Sequence, residues 1–158
     1  MKKIFFWIVV SLVSVFIVIQ FFQSEKTNPV VIESNSIESQ TQLPANISSI
    51  FINACQDCHS NKTQWPWYSY IVPVSWLVTK DVYEGRKHLN FSEWGTYNTN
   101  KKIKKLSEIQ ESIADSSMPL PIYVTMHPKA NLTKEEREQI NQWTEEEYIR
   151  LTGGEEEE

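Results

Sequence analysis

The sequence contains few cysteines and few glycines, and each shortage excludes a class of structure. Its two cysteines, Cys55 and Cys58, lie in one short motif, so no further disulfide can hold the 158-residue chain together. Only 4 glycines are present, whereas aromatic residues make up 12% of the sequence. This combination predicts a helical domain whose aromatic side chains pack around something large.

The motif Cys55-Gln56-Asp57-Cys58-His59 has the Cys-x-x-Cys-His spacing that attaches c-type haem. Residues three and four apart share one face of a helical turn, so Cys55, Cys58 and His59 are expected to project to the same side. Two thiols in this arrangement can each form a thioether with a haem vinyl group. The adjacent imidazole can then reach the iron as its proximal ligand. We therefore predict one haem c per chain, with His59 on the iron.

Two other uses of the cysteines are open at this point. Cys-x-x-Cys pairs also form redox-active disulfides, but these usually lie in a strand-helix-strand context that this sequence does not indicate. A structural zinc site could use Cys55 and Cys58 with His88 and His127, although these histidines are unusually far apart for a zinc site. The complete motif favours haem over both alternatives.

The N-terminus predicts a membrane segment. Two lysines precede an apolar run from Ile4 to Phe22, and this run is long enough to cross a bilayer as a helix. The lysines favour a cytoplasmic N-terminus. A cleaved signal peptide is the alternative, but no Ala-x-Ala-like cleavage site follows the run. We expect residues 1–23 to be an uncleaved anchor. Residues 24–43 are polar and aperiodic, which is typical of a flexible linker.

Residues 44–152 carry the pattern of a helical domain. Apolar residues at helical spacing predict one helix from about Pro44 to Ala54 and another from Lys101 to Ala114. A third helix is expected to run to about Leu89, with Ser75 as its cap. The first of these helices leads directly into the cysteine motif, so its apolar face and the haem would share one core.

Prolines interrupt the helical pattern twice. Residues 65–76 and 120–128 each contain prolines that a helix interior does not tolerate, so both are predicted to be extended. In the first segment we expect a backbone carbonyl near Pro66 or Pro73 to accept the Nδ1 proton of His59. Such a bond would orient the ring and raise its basicity as a ligand.

A last helix is predicted to begin at a capping box formed by Thr133 and Glu136. Two glycines end it, and the acidic residues that follow make 153–158 a solvated tail. The buried side of this helix is expected to carry Ile140, Trp143 and Ile149.

The sixth iron ligand is predicted to be Met118. This methionine follows a helix and precedes Pro119, so it lies in a stiffened loop late in the chain. The alternatives are His127, His88, Met126 or an open position. A methionine paired with histidine would raise the reduction potential, whereas two histidines would lower it.

Several sequence blocks in order carry a resemblance to a known family. They are Cys55–Asn61, Trp65–Ser69, Pro73–Trp76, Glu84–Arg86, Leu89–Trp94, Met118–Pro119 and His127–Ala130. Together they resemble the small haem-binding domain family of bacterial cell-envelope proteins, which is related to c-type cytochromes. The resemblance covers about residues 45–145. It implies covalent haem c on Cys55 and Cys58 with His59 as axial ligand, and it implies no particular distal ligand, partner or reaction.

The sequence thus predicts an all-α, small cytochrome c-like domain around one haem, preceded by one transmembrane helix. We expect a membrane-anchored monohaem protein that transfers single electrons on the periplasmic face of a bacterial inner membrane, and not an enzyme. A peroxidase-like enzyme or a haem-based sensor is the alternative. The lysines within residues 101–105 could steer an acidic redox partner, although a solvated helix face explains them too. The expected partners are haem, redox proteins and the membrane, without nucleic acid.

Overall fold

The computed structural model describes residues 1–153. Helices are the regular elements of these residues, and no strand occurs among them, which confirms the all-α prediction. The α-helices are α1 Lys2–Ile19, α2 Ile37–Gln40, α3 Ala45–Ala54, α4 Gln56–His59, α5 Val74–His88, α6 Thr99–Ala114, α7 Pro121–Met126 and α8 Lys134–Thr152. Short 3-10 helices lie at Glu33–Asn35, Trp67–Tyr70, Phe91–Thr96 and Pro128–Ala130. Most of the predicted acidic tail lies outside the described residues.

Helix α1 is apolar and packs none of its side chains into the domain. Its 18 residues have a mean hydropathy of 2.3, and none of them is buried. The helix is therefore long and apolar enough to cross a membrane, a property that signal sequences near an N-terminus share.

The core of the domain lies between α3, α6 and α8. Helix α6 packs along α8, and α3 contacts α8 as well. The ring of Phe51 stacks on Phe91 at 4.9 Å between centroids and meets Trp143 edge to face at 5.4 Å. Aromatic and aliphatic side chains thus fill one continuous core, as the composition predicted.

Side-chain caps explain where the two longest domain helices begin. The Asn98 side chain accepts a hydrogen bond from the Lys101 amide at the start of α6. Thr133 and Glu136 form the predicted capping box of α8, and Gly153, with a φ of 80°, ends that helix in the left-handed conformation. The prediction that Ile149 is buried is wrong, since it is exposed.

Both predicted extended segments contain helical turns. Trp67–Tyr70 is a 3-10 helix, and α5 already begins at Val74 after Pro73, so Ser75 lies inside the helix and is not its cap. The segment 120–128 contains α7, because Pro121 occupies the first helical turn, where its missing N–H costs no hydrogen bond. Proline was therefore a start signal here and not a stop signal.

The predicted flexible linker is partly built into the domain. Glu33–Asn35 and α2 pack against the 3-10 helix Phe91–Thr96, and the side chain of Ile37 belongs to the core. Nearer to α1, the Asn28 side chain donates to the carbonyl of Thr63 at 2.9 Å. The prediction of a flexible tether is therefore wrong for residues 33–40.

Candidate functional site

The cysteine motif, Cys55 together with α4, forms a single helical turn directly after α3. Helix α3 ends at Ala54, and the carbonyl of Cys55 accepts hydrogen bonds from the amides of Cys58 and His59 at 3.2 and 2.9 Å. This single helical turn is the local geometry that the spacing predicted. Both thiols are free and partly buried.

Gly85 lets helix α5 approach this turn closely. A Cβ at position 85 would lie 2.5 Å from the carbonyl oxygen of Cys58 and 3.1 Å from the Cys58 Cβ. A glycine in a helix interior normally destabilises the helix, so its presence here is explained by the contact. Sequence reasoning assigned Gly85 no structural role. The signal for one was a glycine inside a helical pattern in a sequence with only 4 glycines.

The backbone of α5 also orients His59. Its Nδ1 lies 3.1 Å from the Gly85 carbonyl oxygen and 3.2 Å from that of Leu89. Because both neighbours are acceptors, Nδ1 carries the proton, and Nε2 keeps its lone pair. The prediction that the acceptor lies near Pro66 or Pro73 is therefore wrong. The accepting carbonyls belong to the last turn of α5 and to the residue after it.

The electrostatics keep this imidazole neutral. Burial lowers the pKa of His59 and outweighs the opposing effect of the two backbone hydrogen bonds. A neutral ring with a free Nε2 is the form that binds metals. His59 is thus held in the tautomer and protonation state that an axial iron ligand requires.

A buried polar network fixes the chain next to His59. Asn90 donates from its side chain to that of Asn61 at 2.8 Å, and the Ser92 hydroxyl accepts from the Asn61 amide at 3.0 Å. The Asn90 amide in turn donates to the Tyr97 hydroxyl at 3.0 Å. Because these groups satisfy one another, they hold the segment that carries the Leu89 carbonyl.

Two neighbouring cavities open beside the motif. One has a volume of about 120 Å³ and the other about 400 Å³, and both are lined by Ala54, Cys55, His59, His88 and Met118. The smaller one reaches the aromatic core at Phe51 and Phe91, and the larger one includes Cys58 and Tyr123. The cavities therefore bring the two thiols and the His59 imidazole around shared space.

The four candidate sixth ligands separate into two groups. Met118 and His88 line both cavities, whereas Met126 and His127 line neither. The His127 ring instead stacks on Tyr123 at 4.0 Å between centroids. The His88 side chain is largely exposed, and its Nε2 lies 3.3 Å from Glu108 Oε2.

The loop that carries Met118 is held by α8. Arg137 donates from Nη1 to the carbonyls of Ile113 at 2.8 Å and Met118 at 3.4 Å. The Met118 amide donates to the Ser112 carbonyl at 3.2 Å, which closes the turn. Arg137 was not predicted from the sequence, because the contact joins residues 19 or more positions apart.

Asp57, between the two cysteines, fastens the motif on its other side. Its carboxylate accepts from the Tyr123 hydroxyl and from the Gln64 amide, both at 2.8 Å. Burial raises the pKa of Tyr123 well above its usual range, and the charge of Asp57 adds to the effect. Tyr123 therefore keeps its proton and remains a hydrogen-bond donor to the motif.

The thiols differ from those of a redox disulfide or a zinc site. Burial raises the pKa of Cys55 to about 12, with a smaller contribution from Cys58, and burial likewise raises the pKa of Cys58 to about 12. Redox-active cysteines have lowered values instead. Among residues 1–153, no group of three His, Cys, Asp or Glu side chains is placed to hold a metal ion, so the set with His88 and His127 is not assembled.

Lys105 is the one lysine or arginine among the described residues that line the two cavities. Lys105, although nearly buried, lines the smaller cavity and donates to Glu108 Oε2 at 2.6 Å. Arg86 lies elsewhere, since its guanidinium donates to the carbonyls of Ser60 and Thr27 at 2.7 and 2.8 Å. Arg86 therefore holds backbone together and does not line either cavity.

The lining fits a haem in its chemistry. The neutral imidazole of His59 and the soft sulfur of Met118 are suitable iron ligands, and apolar walls suit the body of the ring. A cysteine thiol can add across a vinyl group to give a thioether. The residues that would hold the ring are therefore Cys55, Cys58 and His59, with Met118 or His88 beside the same space.

Comparison with known proteins gives one match. Neither the curated proteins nor the solved structures contain a match to the chain. A family model described as the haem-binding domain matches residues 14–146, from within α1 to the middle of α8. The match includes the cysteine motif, the contact at Gly85 and the Met118 loop, and it covers most of the chain. The chain therefore belongs to the haem-binding domain family.

Proposed function

We propose that this chain is a c-type haem protein in which Cys55 and Cys58 hold one haem covalently. Each of these thiols would add across a vinyl double bond, with its sulfur on one vinyl carbon and its proton on the other. The addition needs no oxidant or reductant. The two free thiols on one helical turn, which line the same cavity as the His59 imidazole, support this proposal.

We further propose that the protein transfers single electrons and is not an enzyme. His59 and Met118 are the proposed axial ligands, and a bound haem would supply iron that changes oxidation state by one electron. The observation that carries this proposal is that both side chains line the same two cavities. If His59 and Met118 both bound the iron, no position on it would remain for peroxide to react.

The N-terminal helix is proposed to be an uncleaved anchor. The Gln20 side chain accepts from the Val72 amide at 3.0 Å and donates to the Val72 carbonyl at 2.9 Å. The Trp76 indole donates to the Phe22 carbonyl at 2.7 Å. A removed signal peptide has no need of such contacts with the mature domain. We place the domain on the outer face of a bacterial inner membrane, where it meets its redox partners.

Intact-mass measurement tests covalent attachment. The protein is produced in a host competent in cytochrome maturation, and we expect the mass of the chain plus one haem. The double variant Cys55→Ala/Cys58→Ala should lose the attached haem, whereas the matched variant Met126→Ala should keep it. A wild-type mass equal to the bare polypeptide would overturn the proposal.

Optical spectroscopy separates electron transfer from the alternatives. We expect a low-spin spectrum with a methionine-to-iron charge-transfer band in the oxidised state. A high-spin wild-type spectrum that responds to peroxide or carbon monoxide would favour a peroxidase-like enzyme or a sensor. The uncleaved anchor is tested on the same sample. After treatment with alkaline carbonate the protein should remain in the membrane fraction, and its mass should equal that of the chain starting at Met1 plus one haem.

A further inference from the structure

An exposed apolar face includes residues that flank, in the sequence, the segment bonded to the end of α1. It consists of Trp67, Val74, Leu77, Ile122 and Met126, which we call the apolar face, and each of these residues is between 42 and 69% exposed. These side chains line one groove of about 420 Å³ whose walls are almost wholly apolar. The 3-10 helix Trp67–Tyr70, α5 and α7 each contribute residues to this face. The face is therefore a feature of the tertiary structure.

The position of this face relative to α1 is set by hydrogen bonds. Gln20, Phe22 and Gln23 directly follow the apolar helix. Gln20 is bonded to Val72, Phe22 to Trp76, and Gln23 to the Tyr70 carbonyl at 3.1 Å.

Residues 70–76 therefore lie level with the end of the apolar stretch. Because a 3-10 helix rises about 2 Å per residue, Trp67 lies within about 6 Å of that level along the helix axis.

The chemistry at this level matches a membrane interface. Tryptophan and tyrosine prefer the zone between the hydrocarbon and the headgroups, because their rings are apolar and their edges can donate hydrogen bonds. The ammonium group of Lys26 lies 4.8 Å from the centre of the Tyr70 ring, just after the end of α1. A cation beside aromatic rings suits the phosphate level of the headgroups.

We propose that the apolar face is seated in the lipid interface of the bilayer that α1 crosses. This proposal rests on the proposed anchor, since α1 sets the level of the face. Its consequence concerns the haem site, because the groove shares Cys58, Leu120 and Tyr123 with the larger cavity beside the motif. Seating the face would hold that cavity at a fixed orientation close to the membrane surface, within reach of membrane-embedded redox partners.

Site-specific photo-cross-linking tests the seating. The full-length, haem-loaded chain is placed in lipid nanodiscs with Trp67 replaced by the photo-cross-linker benzoyl-phenylalanine. In the matched control the cross-linker replaces Tyr148, which is also exposed but lies on α8, away from the groove. An unchanged haem spectrum shows that each variant is folded.

After illumination, the mass of the chain identifies what covers each position. We expect a lipid adduct as the main product at position 67 and only a trace at position 148. Equal lipid adducts at both positions, no lipid adduct at position 67, or a cross-link there to a second protein chain would each overturn the proposal.

Failure of the anchor is distinguishable from failure of the seating. If the N-terminal helix is removed in the cell, the measured mass of the chain is lower by the mass of that helix, and the protein leaves the membrane fraction. This result overturns both proposals. An intact chain that stays in the membrane without a lipid adduct at position 67 overturns the seating alone. The haem mass is read in the same spectrum, so loss of covalent attachment is seen independently.

Discussion

The carbonyl oxygen of Gly85 accepts a hydrogen bond from His59 Nδ1 at 3.1 Å, while the Cα of Gly85 contacts the turn that carries His59. One residue of α5 thus performs two tasks. Its missing side chain allows the close approach, and its backbone then orients the imidazole. The haem motif and α5 therefore form one structural unit, although 26 positions separate the two residues.

The variant Gly85→Ala tests this contact. The added Cβ would meet the Cys58 carbonyl oxygen at 2.5 Å, so α5 must move away from the motif. Overpacking of this kind costs about 1 to 3 kcal/mol, whereas alanine in place of glycine normally stabilises a helix interior by about 1 kcal/mol. We expect a lower unfolding midpoint in denaturant for the haem-loaded protein. Lys87→Ala, at an exposed position of the same helix, should change the midpoint little, and a stabilised Gly85→Ala would contradict the contact.

The sixth ligand is tested by a matched pair of methionine variants. Met118→Ala should remove the methionine-to-iron charge-transfer band and lower the reduction potential, because a methionine ligand raises the potential of haem iron and that effect is lost. Met126→Ala should change neither, since Met126 lines neither cavity beside His59. The absorbance of the oxidised protein and a potentiometric titration measure both effects. If His88→Ala changed the spectrum and Met118→Ala did not, His88 would be the ligand instead.

Arg137 is expected to position Met118 through the backbone. It donates to two carbonyls of the turn that carries the methionine, and a hydrogen bond from a charged group contributes about 1.5 to 3 kcal/mol. Arg137→Gln should lower the free energy of unfolding and weaken the charge-transfer band. Arg150→Gln is the control on the same helix. It breaks the ion pair with Glu147 but lies away from the loop, so the charge-transfer band should stay unchanged. A destabilised Arg137→Gln with an unchanged band would limit Arg137 to a structural role.

The lowered pKa of Glu108 predicts that the stability of the protein falls at acid pH. Burial opposes ionisation of this carboxyl, but the hydrogen bond and charge of Lys105, together with His88 and Lys104, outweigh burial and lower the pKa of Glu108. A carboxyl with a lowered pKa contributes stability that is fully present above its ordinary value of 4.5. This stability is lost as the pH falls through the folded-state pKa, because the unfolded chain binds the proton first.

The matched variants for this prediction lie on one helix. Glu108→Gln should unfold more easily at pH 7. It should also lose less stability than the wild type between about pH 5 and pH 3, the range in which the Glu108 carboxyl titrates. Glu111→Gln, at an exposed position of α6, should keep the pH dependence of the wild type. Denaturant unfolding at several pH values measures the difference. Parallel curves for the wild type and Glu108→Gln would contradict the prediction.

Local signals in the sequence predicted much of the fold. The apolar spacing located α3 and α6, and the capping box located α8, because each of these signals acts within a few residues. The proline-containing segments were predicted less well. Pro73 and Pro121 stand before or at the start of a helix, where a proline initiates it, and the spacing of apolar residues there does not distinguish this from an extended run.

The candidate site divides in the same way. The sequence predicts Cys55, Cys58 and His59 as candidates because one helical turn brings them together, and Met118 because of its place in a proline-containing loop. The groups that orient them were not recognisable. Backbone carbonyls such as that of Leu89 have no sequence signature, and the contact of Arg137 with the Met118 loop depends on how α8 packs.

By itself, the sequence determined the chemistry that this protein carries: a haem motif on one helical turn, an apolar N-terminal helix and the start of each main helix. These features depend on covalent spacing and on local hydrogen bonds. Only the tertiary structure decided which backbone orients His59, which sulfur shares its cavities, and that Val72 and Trp76 contact the residues just after α1. Those relationships join residues that are distant in the chain, and packing alone determines which distant residues meet.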